Sequence, residues 1–237
     1  MEELAQVSPR ARALIAGWDC AVEFAVVGQG GAAVRFRDGM VSVLRERYRE
    51  AAISLWFVSS RQLVNQFTGL GFSLPLPRRG IFRMASLWRF HRVGKILEEE
   101  LEQHPQLLLS VALGSMGPLV EDDAKARELM RDCPAGVAEF GVPTCGLFGW
   151  VEWRNGEIKW GRGRAARAAD VTVQFHDERI ALAALRGELD EWAAIGAGDL
   201  TVRGLVPLAE SLGAVMERAE GYVARRVRGN ASMENGG

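Results

Sequence analysis

The chain carries the same ordered set of local signals twice, and such a repeat restricts the fold strongly, because whatever the first half builds the second must build again. Arg37-Asp38-Gly39 recurs as Arg154-Asn155-Gly156, 117 residues on. Each is a turn dipeptide between alternating apolar residues and predicts a β-hairpin. Ile53-Ser54-Leu55-Trp56-Phe57 lines up with Val171-Thr172-Val173-Gln174-Phe175 at an offset of 118, two segments with the period of two that marks a strand. Ser59 and Asp177 follow at the same offset as helix N-cap candidates. Leu63, Val64 and Phe67 continue one helix, Ile180, Leu182 and Leu185 the other, and Gly69 and Gly187 end them. Arg79-Gly80-Ile81 then matches Arg203-Gly204-Leu205 only at an offset of 124, so the first copy lacks about six residues of connection. Each copy closes with a long amphipathic helix, marked by Met84, Leu87, Phe90, Leu97 and Leu101 in one and by Leu208, Leu212, Val215, Met216, Ala219 and Val223 in the other.

Between the copies Pro105, Gly114, Gly117 and Pro118 interrupt the periodicity, and Val120-Glu121-Asp122-Asp123-Ala124 reads as the charged start of a new helix. The expected division is therefore a first domain over 1–114, a second over 115–228 and a disordered tail over 229–237. With 237 residues, 48% of them hydrophobic, both copies can bury a core. Lys plus Arg is 29 against 30 for Asp plus Glu, a balance without the global field that draws proteins onto nucleic acid, which is excluded as a partner. The acidic opening Met1-Glu2-Glu3-Leu4 has no secretory leader and no apolar run is long enough to span a membrane, so the sequence reads as cytoplasmic. Cys20, Cys133 and Cys145 lack CxxC spacing and read as buried thiols, neither a disulfide framework nor a zinc site.

The second half holds, in order, Trp150-Val151-Glu152-Trp153-Arg154-Asn155-Gly156, Ala169-Asp170-Val171-Thr172-Val173, Arg186-Gly187-Glu188-Leu189-Asp190 and Gly198-Asp199-Leu200-Thr201-Val202-Arg203-Gly204. This ordered set resembles the sterol carrier protein type two family: a hairpin, a strand, a helix ending in a GELD-like step, and a GDL-x-V-x-G strand into a final helix. In the first half Gly80 keeps the strand-to-helix step, but no GELD follows Gly69. The resemblance implies an α+β fold of two such domains, each a roughly five-stranded, mainly antiparallel sheet covered by helices, with an apolar tunnel between sheet and helices. It also implies non-covalent binding of a fatty acyl, acyl-CoA or sterol-like molecule, without a cofactor.

No cluster of residues promises catalysis. His91, His104 and His176 stand in no HxH or HExxH spacing, so no metal site is expected. Gly28-Gln29-Gly30-Gly31 runs into the strand-like Ala32-Ala33-Val34-Arg35-Phe36 without a GK[ST] step, and reads as a hairpin connection. Gly161-Arg162-Gly163-Arg164 with Arg167 could dock a CoA-like headgroup, though a solvated loop between strands accounts for it. Glu188, Asp190 and Glu191 read as turn charges after a helix, without a nucleophile beside them.

The expected ligand walls are Leu205, Leu208, Leu212 and Met216 on the last helix, with Leu185, Leu189, Trp192 and Ile195 facing them. The segment Arg78–Lys95 interleaves cations with Phe82, Trp88 and Phe90. It is the candidate contact for a membrane surface or a protein, with a core helix wetted on its arginine side as the plainer account. The competing function is an accessory interaction module with filled cavities, for which a homodimer is one expected assembly.

Overall fold

The computed structural model describes residues 8–28, 30–44, 46–59, 62–63, 75–80 and 83–219. The chain divides into two compact units between Gln103 and His104.

The first unit opens with α1 (Pro9–Ile15), where Ser8 Oγ accepts the Ala11 N–H and a proline occupies the first helical turn. Then come β1 (Cys20–Val26), β2 (Gly30–Arg37), β3 (Met40–Leu44), β4 (Ile53–Phe57), β5 (Leu76–Arg79) and α2 (Met84–Gln103). The sheet order is β3-β2-β1-β4-β5, with β1 and β4 parallel and every other pair antiparallel. Val22, Phe36, Ile53 and Phe57 are buried on the sheet, as are Ala11 and Ile15 of α1 and Val93 and Ile96 of α2. Phe90 of α2 reaches Phe24 and Phe36 at centroid distances of 5.7 and 6.0 Å. Ser59 Oγ and its carbonyl accept the N–H groups of Gln62 and Leu63, the first turn of the expected helix; the rest of that helix, through Gly69, lies outside the described residues.

The second unit runs α3 (Pro105–Asp122), α4 (Ala124–Leu129), β6 (Gly136–Val142), β7 (Leu147–Arg154), β8 (Glu157–Arg162), β9 (Val171–Phe175), α5 (Glu178–Leu185), α6 (Glu191–Ala197), β10 (Leu200–Gly204) and α7 (206–219). Its sheet, read from the hairpin edge, is β8-β7-β6-β9-β10. The one parallel pair is again the central one, β6 with β9, so the two sheets have the same topology.

The expected landmarks occupy matching places in the two sheets. Asp38 and Gly39 have φ of 52° and 73°, Asn155 and Gly156 55° and 80°. Both are two-residue turns of the mirror type that requires left-handed backbone and matches strand twist. Gly80 and Gly204 also have positive φ, 82° and 110°. A Cβ at Gly80 would lie 2.7 Å from the Ala52 carbonyl oxygen, and one at Gly204 even closer to that of Asp170. The chain must pass over the start of β4 or β9 to enter its last helix, and only glycine fits there.

The division expected at 114/115 falls inside α3. Pro105 sits at the first turn, where its missing N–H costs nothing. Gly114 is small because an added Cβ would stand 2.9 Å from the Trp160 ring. That glycine marks close packing of a helix on β8, whereas sequence alone made it a break. Pro118 is carried within the helix, one turn before its end.

Candidate functional site

The inner face of the second sheet is apolar throughout. Ala138, Phe140 and Val142 of β6, Leu147 and Val151 of β7, and Val171, Val173 and Phe175 of β9 form one continuous cluster with residues of α3, α5 and α7. Leu208, Leu212 and Val215 of α7 have no solvent exposure. The helix is drawn tight onto the sheet, since a Cβ at Gly136 would lie 2.8 Å from Leu208 Cδ2. On β7, a Cβ at Gly149 would meet Leu113 and Leu109 of α3 at 2.6 and 3.3 Å. Burying this many aliphatic side chains contributes about 1.5–3 kcal/mol each, which holds the helices in place.

Six of the eight expected wall residues join this interior. Leu185, Leu208 and Leu212 are buried, and Leu189, Leu205 and Met216 pack against the cluster half-buried. Trp192 and Ile195 do not: they are 83% and 44% exposed on α6. In a seven-residue helix two apolar positions do not fix which side faces the protein, and here Ala194 takes the buried side. Asp177 caps α5 through the Ile180 N–H, as expected. Asp190 caps α6 through the Ala193 N–H, and Glu191 is that helix's first residue, so neither is a loose turn charge.

Sequence reasoning missed the opposite face of each sheet. Glu139 on β6 is 7% exposed and accepts the Arg164 Nη1 at 3.0 Å and the Ala165 N–H at 3.3 Å. Arg164 also lies over the Phe148 ring, 3.9 Å from its centroid. The arginine loop that read as solvated is thus tied across the sheet by a charged pair. The first unit repeats the device: Glu23 on β1 is 3% exposed, accepts the Arg47 Nε at 3.2 Å and takes the Ser54 hydroxyl. Arg47 lies over Trp56 at 4.6 Å. Glu23-Phe24-Ala25-Val26 and Glu139-Phe140-Gly141-Val142 are 116 residues apart, a signal present in the sequence but hidden by a charge within an apolar strand. A buried carboxylate whose charge is met by a guanidinium and a further hydrogen-bond donor acts as a clamp across the sheet.

The cysteines divide three ways. Cys20 is buried, Cys133 half-buried and Cys145 exposed, so the expectation of three buried thiols fails at the β6–β7 turn. Burial pushes the Cys20 and Cys133 thiols up. Among the described residues a cleft of about 600 Å³ lies away from the wall residues, between Val120 of α3, Arg127 of α4, Met130, Cys133 and the β7–β8 turn. No group of His, Cys, Asp and Glu among the described residues has the arrangement of a metal site, and no described helix is long and apolar enough to cross a membrane.

No protein-family model matches the chain, and no curated protein does. Solved structures do match. The UbiJ-SCP2 ubiquinone synthesis protein is 18% identical over 46% of this chain and 96% of its own, with a TM-score of 0.37. The sterol carrier protein domain 2 of Helicoverpa armigera is 21% identical over 46% of this chain and 85% of its own, with a TM-score of 0.34. Sterol carrier protein 2 from Yarrowia lipolytica stands with them at 16% identity over 43% and 91% of the two chains and a TM-score of 0.34, so each sterol-carrier likeness covers about half of this chain. A different neighbour, the inverting sec-alkylsulfatase from Pseudomonas sp., is 25% identical over 33% of this chain, with a TM-score of 0.27. The chain spans only 12% of that sulfatase.

Proposed function

We propose that the second unit is a non-catalytic holder of an apolar molecule of fatty acyl, acyl-CoA or sterol-like chemistry, taken up between α7 and the inner face of the sheet. The observation that carries this reading is an inner face built wholly of apolar side chains and flanked at the β10 edge by α6, a seven-residue helix whose one buried residue is Ala194. A segment anchored by so little apolar surface opens at low cost, and behind it Leu189, Leu205 and Met216 are already only half-buried. Each methylene of a ligand entering there contributes about 0.8 kcal/mol, so a ten-carbon tail supplies roughly 8 kcal/mol before the cost of association. The matched topology, turns, glycine crossings and carboxylate clamps of the two units support their origin as two copies of one domain.

The deciding experiment is native mass spectrometry of the purified chain followed by organic extraction. A stoichiometric acyl or sterol-like molecule is expected, and Leu212→Trp, which adds bulk at the seam of α7 and the sheet where the ligand would enter, is expected to abolish its retention while the fold survives. A mass equal to the bare chain, persisting after exposure to fatty acid and acyl-CoA, would overturn the reading.

One observation favours a second reading, an accessory interaction module. Leu208, Leu212 and Val215 already have no exposure, an interior filled by the protein itself, while Trp192 at 83% and Ile195 at 44% exposure offer apolar surface outward. On that reading Trp192→Ala weakens association with a partner protein or a like subunit and leaves uptake of fatty acid at nil.

A further inference from the structure

Six cations, Arg78, Arg79, Arg83, Arg89, Arg92 and Lys95, occur within eighteen residues without one acidic side chain among them. The fold employs three of them. Arg89 donates to the carbonyls of Leu14 and Ala16 and lies over Trp18. Arg79 donates to the Arg49 carbonyl, and Arg78 stacks on Trp56 at 4.4 Å. Arg83, Arg92 and Lys95 stay exposed. The last two stand on the same side of α2 as Trp88, which is 61% exposed with the Arg92 guanidinium 4.8 Å from its ring centroid.

We infer that this stripe, Trp88, Arg92 and Lys95, docks the first unit on an anionic lipid bilayer. The helix is already seated on its sheet through Val93, Ile96 and Phe90, so the stripe is not needed for the core. An indole is amphipathic and settles at the level of the lipid headgroups. The cations beside it meet the negative surface, their aliphatic stems lying along the apolar boundary. Nucleic acid fits less well, because one exposed ring on a helix gives no succession of stacking platforms and the chain has no net positive charge. The inference concerns the first unit and does not depend on the second holding a ligand.

The test is co-sedimentation of the full chain, without added ligand, with phosphatidylcholine vesicles that do or do not contain phosphatidylglycerol. Binding is expected only to the anionic vesicles and is expected to fall steeply as salt is raised. Each cation removed is expected to weaken binding about fivefold, so Arg92→Gln/Lys95→Gln together lose about twenty-five-fold. These are exposed positions, and an unchanged thermal melt certifies the fold of the variant. Trp88→Ala is expected to lose binding several-fold at constant charge. Equal binding to both vesicle types, no binding to either, or full binding by the double variant would overturn the inference, as would capture by an acidic peptide or an oligonucleotide with the anionic vesicles left free.

Discussion

The two units share a sheet but not the seating of the helix that closes it. In the second unit α7 begins two residues past Gly204, and Leu208, Leu212 and Val215 point into the core. In the first, α2 begins four residues past Gly80, and Phe90, Val93 and Ile96 turn inward. Counted from its glycine, Trp88 stands where Leu212 stands, yet one is 61% exposed and the other fully buried. Strand order and the glycine crossing are fixed by backbone hydrogen bonds and hard contacts, which allow no intermediate setting. The phase of a packed helix is set by which apolar side chains fill the space beneath it, and two extra residues rotate it by about half a turn. With the same strand order and a differently phased helix, the position eight residues past the glycine is core in one unit and surface in the other, and the tryptophan of the lipid-facing stripe occupies the surface one.

The strongest way to break the comparison is at the crossings. Gly204→Ala places a methyl against the Asp170 carbonyl at a φ of 110°, and a cost of about 3–5 kcal/mol is expected from left-handed strain plus overlap. Gly80→Ala, with 2.7 Å to the Ala52 carbonyl, is expected to cost slightly less. Urea unfolding of both variants checks this, and a loss below about 1 kcal/mol at either site would show that the crossing is not shared. Next comes the helix phase: Leu212→Ala is expected to cost about 3 kcal/mol through the cavity it leaves, while Trp88→Ala changes stability by less than about 0.5 kcal/mol. Similar losses at both would return Trp88 to the core and remove the rotation.

The clamps sharpen the comparison at smaller amplitude. Glu139→Gln and Glu23→Gln each keep the shape and a hydrogen-bond acceptor but leave Arg164 or Arg47 without a carboxylate. Because Arg164 and Arg47 are 62% and 43% exposed, water recovers much of the lost attraction, and about 1–2 kcal/mol is expected from each variant. The second unit has an additional tie: Asp170 accepts the Val137 N–H at 2.7 Å and its carbonyl accepts the Leu205 N–H at 2.8 Å, where the first unit has Ala52. Asp170→Ala, measured beside the clamps in thermal melts, is expected to cost about 1–2 kcal/mol and to leave the first unit's transition where it was.

What could be read from the residues was whatever depends on local backbone chemistry. Asp38-Gly39 and Asn155-Gly156 announce their turns because few other dipeptides tolerate that geometry, and Asp177 its helix because a cap is a local hydrogen bond. Gly80 and Gly204 were visible for the same reason. Trp192 and Ile195 were misplaced because seven residues of helix contain too few turns to define a face. The glycines of α3 were misread because their partners, Trp160 for Gly114 and Ile158 for Gly117, are far away in sequence. The carboxylate clamps were overlooked because a buried charge runs against the apolar pattern used to find strands, and its justification comes from Arg47 or Arg164 on the other side of a hairpin.

The cysteines give the smallest effect and the most local one, since Cys20 lies on β1 of the first unit and Cys133 beside β6 of the second. Burial raises both thiols above the ordinary value and raises Cys145 as well, so the thiolate fraction is lowered at all three and the order of alkylation is set by access, with exposed Cys145 reacting first. The sign of the linkage follows. A thiol held neutral by the fold contributes its stability fully below the unfolded pKa, and that contribution is lost as pH rises through the raised folded value. Peptide-mapped alkylation in native buffer is therefore expected in the order Cys145, Cys133, Cys20, with the lag of Cys20 reporting the opening the first unit needs to expose its central strand. Were Cys20 to react ahead of Cys133, which is half-buried and lies outside β6, β1 would open readily despite its place at the centre of its sheet.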